Sequence, residues 1–166
     1  LESYCFGYDN NIHYEGSLNE WMAIEFKSYV GQNYNFYENY TELIEYVDCN
    51  VTPKAYAFCG CASLKEIDIY EGVEHISSSA FAMCPNLKEV VVSDNIKSVG
   101  YGAFGMSGLT EIVVPNSVTD IGRAVFFGCP SVTVYCTSDA YVKEYAIKNE
   151  VEYFNQNFGF EFSVDE

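Results

Sequence analysis

The apolar residues of this chain recur along the sequence with a pitch of 22 or 23 residues. An Ala-Phe pair marks each step, and the fourth pair has valine in place of alanine. The pairs are Ala57-Phe58, Ala80-Phe81, Ala103-Phe104 and Val125-Phe126. The small and apolar positions of the first repeat, from Ala57 to Ile76, are all kept 23 residues later. Self-similarity at this pitch predicts a solenoid, in which each repeat buries its apolar face against its neighbours.

Within each repeat the apolar spacing changes to alternation, which is typical of a strand. The alternating pairs are Ile67 and Ile69, Val90 and Val92, and Ile112 and Val114. We therefore expect one short parallel strand per repeat, stacked about 4.8 Å from the next. The Ala-Phe segment is expected to form a short helical turn on the opposite side and to place its phenylalanine in the interior. The predicted fold class is an α/β repeat solenoid with the four phenylalanines in one aligned row.

The ends of the chain depart from the repeat. Ser17 followed by Glu20 has the pattern of a capping box and predicts the start of a helix. Ser138 is placed to begin a second helix, and residues 151–154 have the pattern of a strand. We expect this helix and strand to close the solenoid, because the last coil would otherwise expose an apolar side and an unpaired strand edge. The apolar stripe of the second helix would consist of Tyr141, Val142, Tyr145 and Ala146.

These patterns divide the chain into four segments. Residues 1–56 hold degenerate repeats, with an irregular insertion rich in tyrosine and asparagine, and residues 57–137 hold the regular repeats. Residues 138–154 form the C-terminal cap, and residues 155–166 form a tail or a linker to another module. A chain of 166 residues is long enough to bury a core of its own.

The repeat resembles a known type. Residues 103–122 combine the apolar columns with Val114-Pro115 and end on Ile121-Gly122. This resembles the BspA-like leucine-rich repeat, whose pattern is close to Ala-Phe-x-x-Cys-x-x-Leu-x-x-Ile-x-Ile-Pro-x-x-Val-x-x-Ile-Gly. The likeness extends over residues 57–135, although Tyr70 and Ser93 stand where that pattern has proline. It implies a right-handed leucine-rich-repeat superhelix with parallel strands on one face, short helical turns on the other and a C-terminal helix-strand cap.

The resemblance also implies a function. BspA-like repeats occur in surface proteins of anaerobic, gut and oral bacteria and in some protists. We therefore expect a non-enzymatic, extracellular or cell-surface module for protein binding and adhesion, monomeric and cut from a larger surface protein. The implied partner is a host extracellular-matrix protein or another cell-surface protein, with a glycan as a further option. A structural spacer that presents another domain is the alternative, and a hydrolase is a more distant one.

The balance of charge narrows the choice of partner. With 24 acidic and 8 basic residues, the chain has a formal net charge of -16. Nucleic acids and anionic membrane surfaces attract basic proteins, so neither is expected to be a partner. No apolar run is long enough to span a bilayer, so we expect no membrane insertion. The acidity either keeps an exported protein in solution or forms a face for cations or basic partners.

Strand residues that point away from the core give the candidate binding face, which the resemblance implies is the concave face of the sheet. Three glutamates, one per repeat, stack in one column of this face, where like charges repel each other. Either the column is solvated and relieved by the neighbouring Lys65 and Lys88, or it is a docking stripe for a cation or a basic partner. The predicted binding residues are Glu66, Asp68, Tyr70, Glu89, Val91, Ser93, Glu111 and Val113.

Cysteines and histidines offer no candidate catalytic or metal centre. The chain has 7 cysteines, an odd number that cannot pair completely within one chain. Cys61, Cys84 and Cys129 share one column of the repeat and are expected to pack inward as small apolar residues. Cys59 with Cys61 lacks the usual spacing of zinc ligands, and the two histidines have no catalytic grouping beside them. We therefore expect no catalytic residue, no metal and no cofactor.

A segment rich in tyrosine and asparagine, residues 28–39, interrupts the repeat. Tyrosine rings are rigid and amphipathic, which suits them to binding proteins and sugars. The rings of this segment either contact a partner or fold back over the edge of the sheet. The aromatic residues concerned are Tyr34, Phe36 and Tyr37 in this segment and Tyr40 directly after it.

Overall fold

A computed structural model gives the fold of most of the chain. It describes residues 11–25, 35–38, 42–129, 131–136, 141–149 and 152–155. Within these ranges the elements are β1 (Asn11–Tyr14), α1 (Leu18–Met22), β2 (Asn35–Glu38), β3 (Glu42–Leu43), β4 (Tyr46–Cys49), β5 (Glu66–Ile69), β6 (His75–Ile76), β7 (Glu89–Val92), β8 (Ser98–Val99), β9 (Glu111–Val113), β10 (Asp120–Ile121), β11 (Thr133–Cys136), α2 (Tyr141–Lys148) and β12 (Glu152–Asn155).

One strand per coil builds the main sheet. β4, β5 and β7 pair in parallel, and β9, β11 and β12 pair in parallel beside them. Residues alternate between core and surface along each strand, so that Ile67 and Ile69 of β5 are buried. The parallel strands predicted from the apolar alternation are therefore confirmed. A separate N-terminal sheet joins β1 and β2 in parallel and β2 and β3 antiparallel.

A second, smaller parallel sheet runs along another side of the solenoid. It consists of the two-residue strands β6, β8 and β10, which pair in parallel. The sequence showed only its apolar columns, of which Val73 and Ile76 are buried. Strands of two residues are too short to produce a recognisable alternation, which is why this sheet was not predicted.

The sequence predicted helical turns at the Ala-Phe segments. The structure has instead a series of consecutive turns, called chained turns here, each closed by its own hydrogen bond. In the first coil, the amides of Ala57, Cys59 and Cys61 each donate to the carbonyl three residues earlier. Tyr56 and Gly60 have positive φ, 65° and 88°, which interrupts any helix. The amide of Phe58 between them donates to Ala80 O of the next coil at 2.9 Å. These segments therefore add a third set of hydrogen bonds between coils.

The four phenylalanines stack in the interior in one row, as predicted. Their ring centroids are 5.8, 5.8 and 6.2 Å apart from Phe58 to Phe126, with interplanar angles of 5°, 10° and 7°. All four rings are buried. Spacings in this range suit offset stacking of aromatic rings. Burying one such ring contributes about 1.5–3 kcal/mol through the hydrophobic effect, so the row accounts for a large share of core stability.

The cysteine column packs inward, as predicted. Cys84 Sγ donates to Phe58 O at 3.1 Å and Cys129 Sγ donates to Phe104 O at 3.2 Å. Ser107 takes the same place in the third coil and is buried. Burial raises the pKa of the Cys84 thiol well above its usual range, so this thiol stays protonated and can donate. Among the described residues Cys49, Cys59, Cys61, Cys84, Cys129 and Cys136 are buried and take part in no disulfide.

Helix α1 lies at the N-terminal end of the coils. The predicted capping box is confirmed, because Glu20 N donates to Ser17 Oγ at 3.3 Å and Ser17 N donates to Glu20 Oε2 at 2.8 Å. The fully buried indole of Trp21 donates from Nε1 to Ala57 O at 2.7 Å. Helix α1 is thus joined directly to the first Ala-Phe segment.

Helix α2 lies at the other end of the phenylalanine row. The Tyr145 ring meets Phe126 edge-on at 6.3 Å, and Val125 N donates to Tyr145 Oη at 2.9 Å. In the earlier coils the equivalent amides, those of Ala57, Ala80 and Ala103, donate instead to a carbonyl three residues earlier in their own coil. Tyr141, which was predicted in the apolar stripe, is instead exposed, and the stripe is formed by the other three residues. The proposed cap at Ser138 lies outside the described residues.

The third coil is one residue short, and the shortening interrupts the main sheet. Where Cys84 and Leu87 are separated by two residues, Ser107 and Leu109 are separated by Gly108 alone. Gly108 N donates to Cys84 O at 3.0 Å, and a Cβ at Gly108 would lie 2.1 Å from Pro85 O. No ladder of main-chain hydrogen bonds joins β7 to β9 in this described part of the chain. The tight passage at Gly108 therefore coincides with a break between the two halves of the main sheet.

Truncating one ring of the row should destabilise the protein strongly. We expect Phe81→Ala to lower the free energy of unfolding by about 3–5 kcal/mol, because the cavity lies between two neighbouring rings. The matched control is Phe127→Ala, since Phe127 is 70 % exposed and should change stability by less than about 0.5 kcal/mol. Urea denaturation followed by circular dichroism measures both, and equal effects would contradict the row as the core.

Adding a methyl group at the short coil should also destabilise the protein. Gly108→Ala is expected to cost about 3 kcal/mol, because its Cβ would overlap the Pro85 carbonyl. Gly102→Ala is the control: Gly102 has φ 59° but room for a Cβ, so backbone strain alone should cost about 1 kcal/mol. The comparison uses the same denaturation assay. If the Gly108→Ala protein is as stable as the Gly102→Ala protein, the close approach of Gly108 to the Pro85 carbonyl is wrong.

Candidate functional site

The outward side of the main sheet, called the main sheet face below, carries the predicted binding residues. Register places Glu66 beside Glu89 in one column and Asp68 beside Val91 in the next. β9 continues the same alternation with Glu111. The structure therefore brings the predicted residues to one surface. The exposed members are Glu66, Tyr70, Glu89, Val91, Glu111 and Val113, and the half-buried members are Asp68 and Ser93.

Sequence reasoning missed part of this face. Tyr46 of β4 pairs with Glu66, and Asp48 pairs with Asp68, so both extend the two columns toward the N-terminus. Tyr135 of β11 pairs with Val113 and extends them toward the C-terminus. The available signal was the alternation of Val47 with Cys49, but β4 lies only 20 residues before β5 and falls outside the regular pitch.

A hydrogen bond fixes two side chains at the N-terminal end of the face. Tyr46 Oη donates to Asp68 Oδ2 at 2.8 Å. The pKa of Tyr46 is raised above its usual range. The largest cause is the hydrogen bond of its hydroxyl to Asp68, and the second is its hydrogen bond to Tyr70. Tyr46 and Tyr70 are 42 % and 43 % exposed, so both rings are open to a partner although the hydroxyl of Tyr46 is held in place. Rigid, amphipathic tyrosine rings are favoured at protein interfaces.

Glu66, Glu89 and Glu111 form the glutamate column of this face. The column has no intramolecular counter-ion in the described part of the chain. Lys65 was expected to relieve it, but Lys65 Nζ binds Glu45 Oε1 at 2.6 Å. Lys88 was expected to do the same, but Lys88 Nζ donates to Gly108 O at 2.9 Å. Neither lysine therefore forms an ion pair with a glutamate of the column. Each lysine side chain reaches a group in the loop of an adjoining coil.

Two shallow grooves open on the surface of the described residues. One, of ≈ 460 Å³, lies on the main sheet face where β7 and β9 meet, and it is lined by Lys88, Glu89, Val90, Val91, Glu111, Ile112, Val113 and Tyr135. The other, of ≈ 390 Å³, lies between α2 and the last coil, with Arg123 and Lys148 among its lining residues. Both are open to solvent, which suits contact with a partner surface more than enclosure of a small substrate.

Acidic, histidine and cysteine side chains are the other candidates for chemistry among the described residues. No group of three or more His, Cys, Asp or Glu side chains there is arranged to hold a metal ion. His75 is exposed, and its Nδ1 lies 2.8 Å from Ser98 Oγ. Burial raises the pKa of the Cys59 thiol to about 12, so it is a poor nucleophile. None of the helices in the described ranges has the length and apolar character needed to cross a membrane.

The tyrosine-rich insertion is only partly described. Strand β2, residues Asn35–Glu38, belongs to it, and the backbone of this strand pairs with β1 and β3. Tyr34 and Tyr40 lie outside the described residues, as does Cys5. Whether the rings of this segment contact a partner or cover the sheet stays a prediction.

Comparison with solved structures gives one informative neighbour. A leucine-rich cell-surface protein from Faecalibacterium prausnitzii A2-165 superposes with a TM-score of 0.50 at 30 % sequence identity. The superposition covers 53 % of this chain and 23 % of that protein's chain. No curated protein matches the chain.

The repeat itself is matched by a family model. The model describes a BspA-type leucine-rich-repeat region, and it matches 6 copies over residues 29–153. The matched range includes the regular coils, helix α2 and the beginning of β12. The phenylalanine row, the parallel main sheet and this match agree, and the chain belongs to the BspA-type leucine-rich-repeat family.

Proposed function

We propose that this chain is a binding and adhesion module of an exported bacterial surface protein, and that it contacts another protein through the main sheet face. The family and its cell-surface structural neighbour support a repeat module for protein interaction. The observation that carries the choice of face is its glutamate column, which has no counter-ion among the described residues and lies beside exposed tyrosine and valine side chains.

Two physical arguments favour this face over the other sides of the solenoid. The stacking of coils repeats each outward position at the spacing of the strands, which gives a broad, rigid surface. The glutamates of the column form no ion pair with another described residue, whereas Glu74, beside the smaller sheet, binds Lys97 Nζ at 2.9 Å. A rigid surface loses little conformational entropy on binding, and unpaired charge favours a partner of opposite sign.

The expected partner is an extracellular-matrix protein or a protein on another cell. The net charge of this chain is -16, which favours a partner with a basic surface. A glycan could contact the tyrosine rings of Tyr46 and Tyr70 in the same place. The partner's surface therefore needs to combine positive charge with groups that pack on aromatic rings.

Binding to a panel of matrix proteins, mucin and intact bacterial cells tests this function. The face variant is Glu66→Gln with Tyr70→Ala, and the matched control is Asp120→Asn with Tyr101→Ala, which removes the same groups away from the main sheet. We expect the face variant to weaken binding about tenfold, the loss that corresponds to 1.4 kcal/mol, while the control binds like the wild type.

The other outcomes are equally informative. If the face variant and the control bind equally well, the choice of the main sheet face is wrong. If the wild-type chain binds nothing in the panel, the adhesion function is wrong and the spacer alternative is favoured. Thermal unfolding of all three proteins shows whether a loss of binding is a loss of fold.

A further inference from the structure

The groove between β7 and β9 is a consequence of the short third coil. A regular coil would continue the ladder from β7 to β9, as β5 continues to β7. Here Gly108 N bonds to Cys84 O, and the ladder is interrupted at that point. The groove of ≈ 460 Å³ lies over the interruption and is within the usual size of ligand pockets, about 300–1,000 Å³. The deletion of one residue therefore gives this face a recess that an unbroken sheet would lack.

The floor of the groove is apolar. Val91 and Val113 take equivalent places in neighbouring coils, and their side chains are 61 % and 49 % exposed. Tyr135, beside Val113 in β11, closes the C-terminal side. Covering exposed valine side chains removes apolar surface from water, which favours binding. An occupant therefore gains from an aliphatic portion.

One flank of the groove is negatively charged. Glu89 and Glu111 line it, both exposed, and neither forms an ion pair with another described residue. Lys88 also lines the groove and keeps its positive charge, but its ammonium group is held at Gly108 O and forms no ion pair with either glutamate. Two carboxylates on adjacent coils repel each other until a cation lies between them. An occupant therefore gains from a positive charge as well.

We propose that this groove receives an arginine side chain from an extended segment of the partner protein. The aliphatic stem of arginine would lie on Val91 and Val113, and its guanidinium group would bridge Glu89 and Glu111. The planar guanidinium group presents donors on several edges and can bond two carboxylates at once, whereas lysine offers a point charge. This inference rests on the proposed function and names the chemistry that the partner supplies.

A pair of synthetic peptides tests the inference without the natural partner. One is a short blocked peptide in which two arginines alternate with glycine, and in the other citrulline replaces both arginines. Citrulline keeps the shape of the side chain but removes its charge. We expect the arginine peptide to shift the amide resonances of Val91 and Val113 in isotope-labelled wild-type protein, and the citrulline peptide to leave them unchanged.

Charge variants identify the binding site. Glu89→Gln with Glu111→Gln should weaken binding of the arginine peptide about fivefold or more, the combined effect of two exposed ion pairs. Asp94→Asn with Asp120→Asn is the matched control, because it removes two exposed carboxylates from outside the groove and should bind as the wild type does. Raised salt should weaken binding to the wild type, since the carboxylates are exposed.

Three results with the peptides would overturn the inference. They are equal shifts from both peptides, equal loss of binding in both charge variants, and resonance shifts that avoid the groove. A panel partner that depends on Glu66 and Tyr70 but not on Glu89 and Glu111 would also overturn it, while leaving the proposed function intact. The wild-type chain could also bind the arginine peptide specifically and yet bind nothing in the panel. In that case the groove assignment would stand and the adhesion function would fail.

Discussion

The contact between stacked phenylalanine rings determines how this chain folds. A single coil has too little interior to bury its own apolar side, so each coil depends on the next. The rings of Phe58, Phe81, Phe104 and Phe126 supply that shared interior, and their backbones are tied across coils as well. Phe81 N, for example, donates to Ala103 O at 3.0 Å. The ends of the row are covered by different means, an indole bonded to the first Ala-Phe segment and a tyrosine ring against the last.

This stacking also sets the chemistry of the surface. Because the coils are in register, each outward position becomes a column, and a column of glutamates on one face follows from one glutamate per repeat. The lysines beside that column bond to the adjoining loops and form no ion pair with its glutamates. A change in coil length has a local effect on the same surface. At Gly108 one residue fewer interrupts the sheet and opens the groove, while the interior row continues through Phe104 unbroken.

Much of the fold could be predicted from the sequence because burial imposes a period. Ala57, Phe58 and the inward strand residues recur at the pitch of the coil, and the capping box at Ser17 is a local signal of similar clarity. Features without a period could not be found in this way. The chained turns depend on positive φ at Tyr56, Met83 and Ala124. These residues are of different types, so the residue type does not indicate a positive φ. On the candidate face, alternation identified the columns, but the partners of the lysines depend on distances between coils that spacing does not give.

Hydrogen exchange of the amides of Phe58, Phe81 and Phe104 tests the central claim most directly. In the structure each of these amides is buried and donates to a carbonyl of the next coil. If the rings and these bonds hold the coils together, the three amides should exchange only when the whole chain unfolds, with the same free energy as the global transition. Exchange of any one of them at the rate of an open turn, while the others stay protected, would contradict a single shared interior.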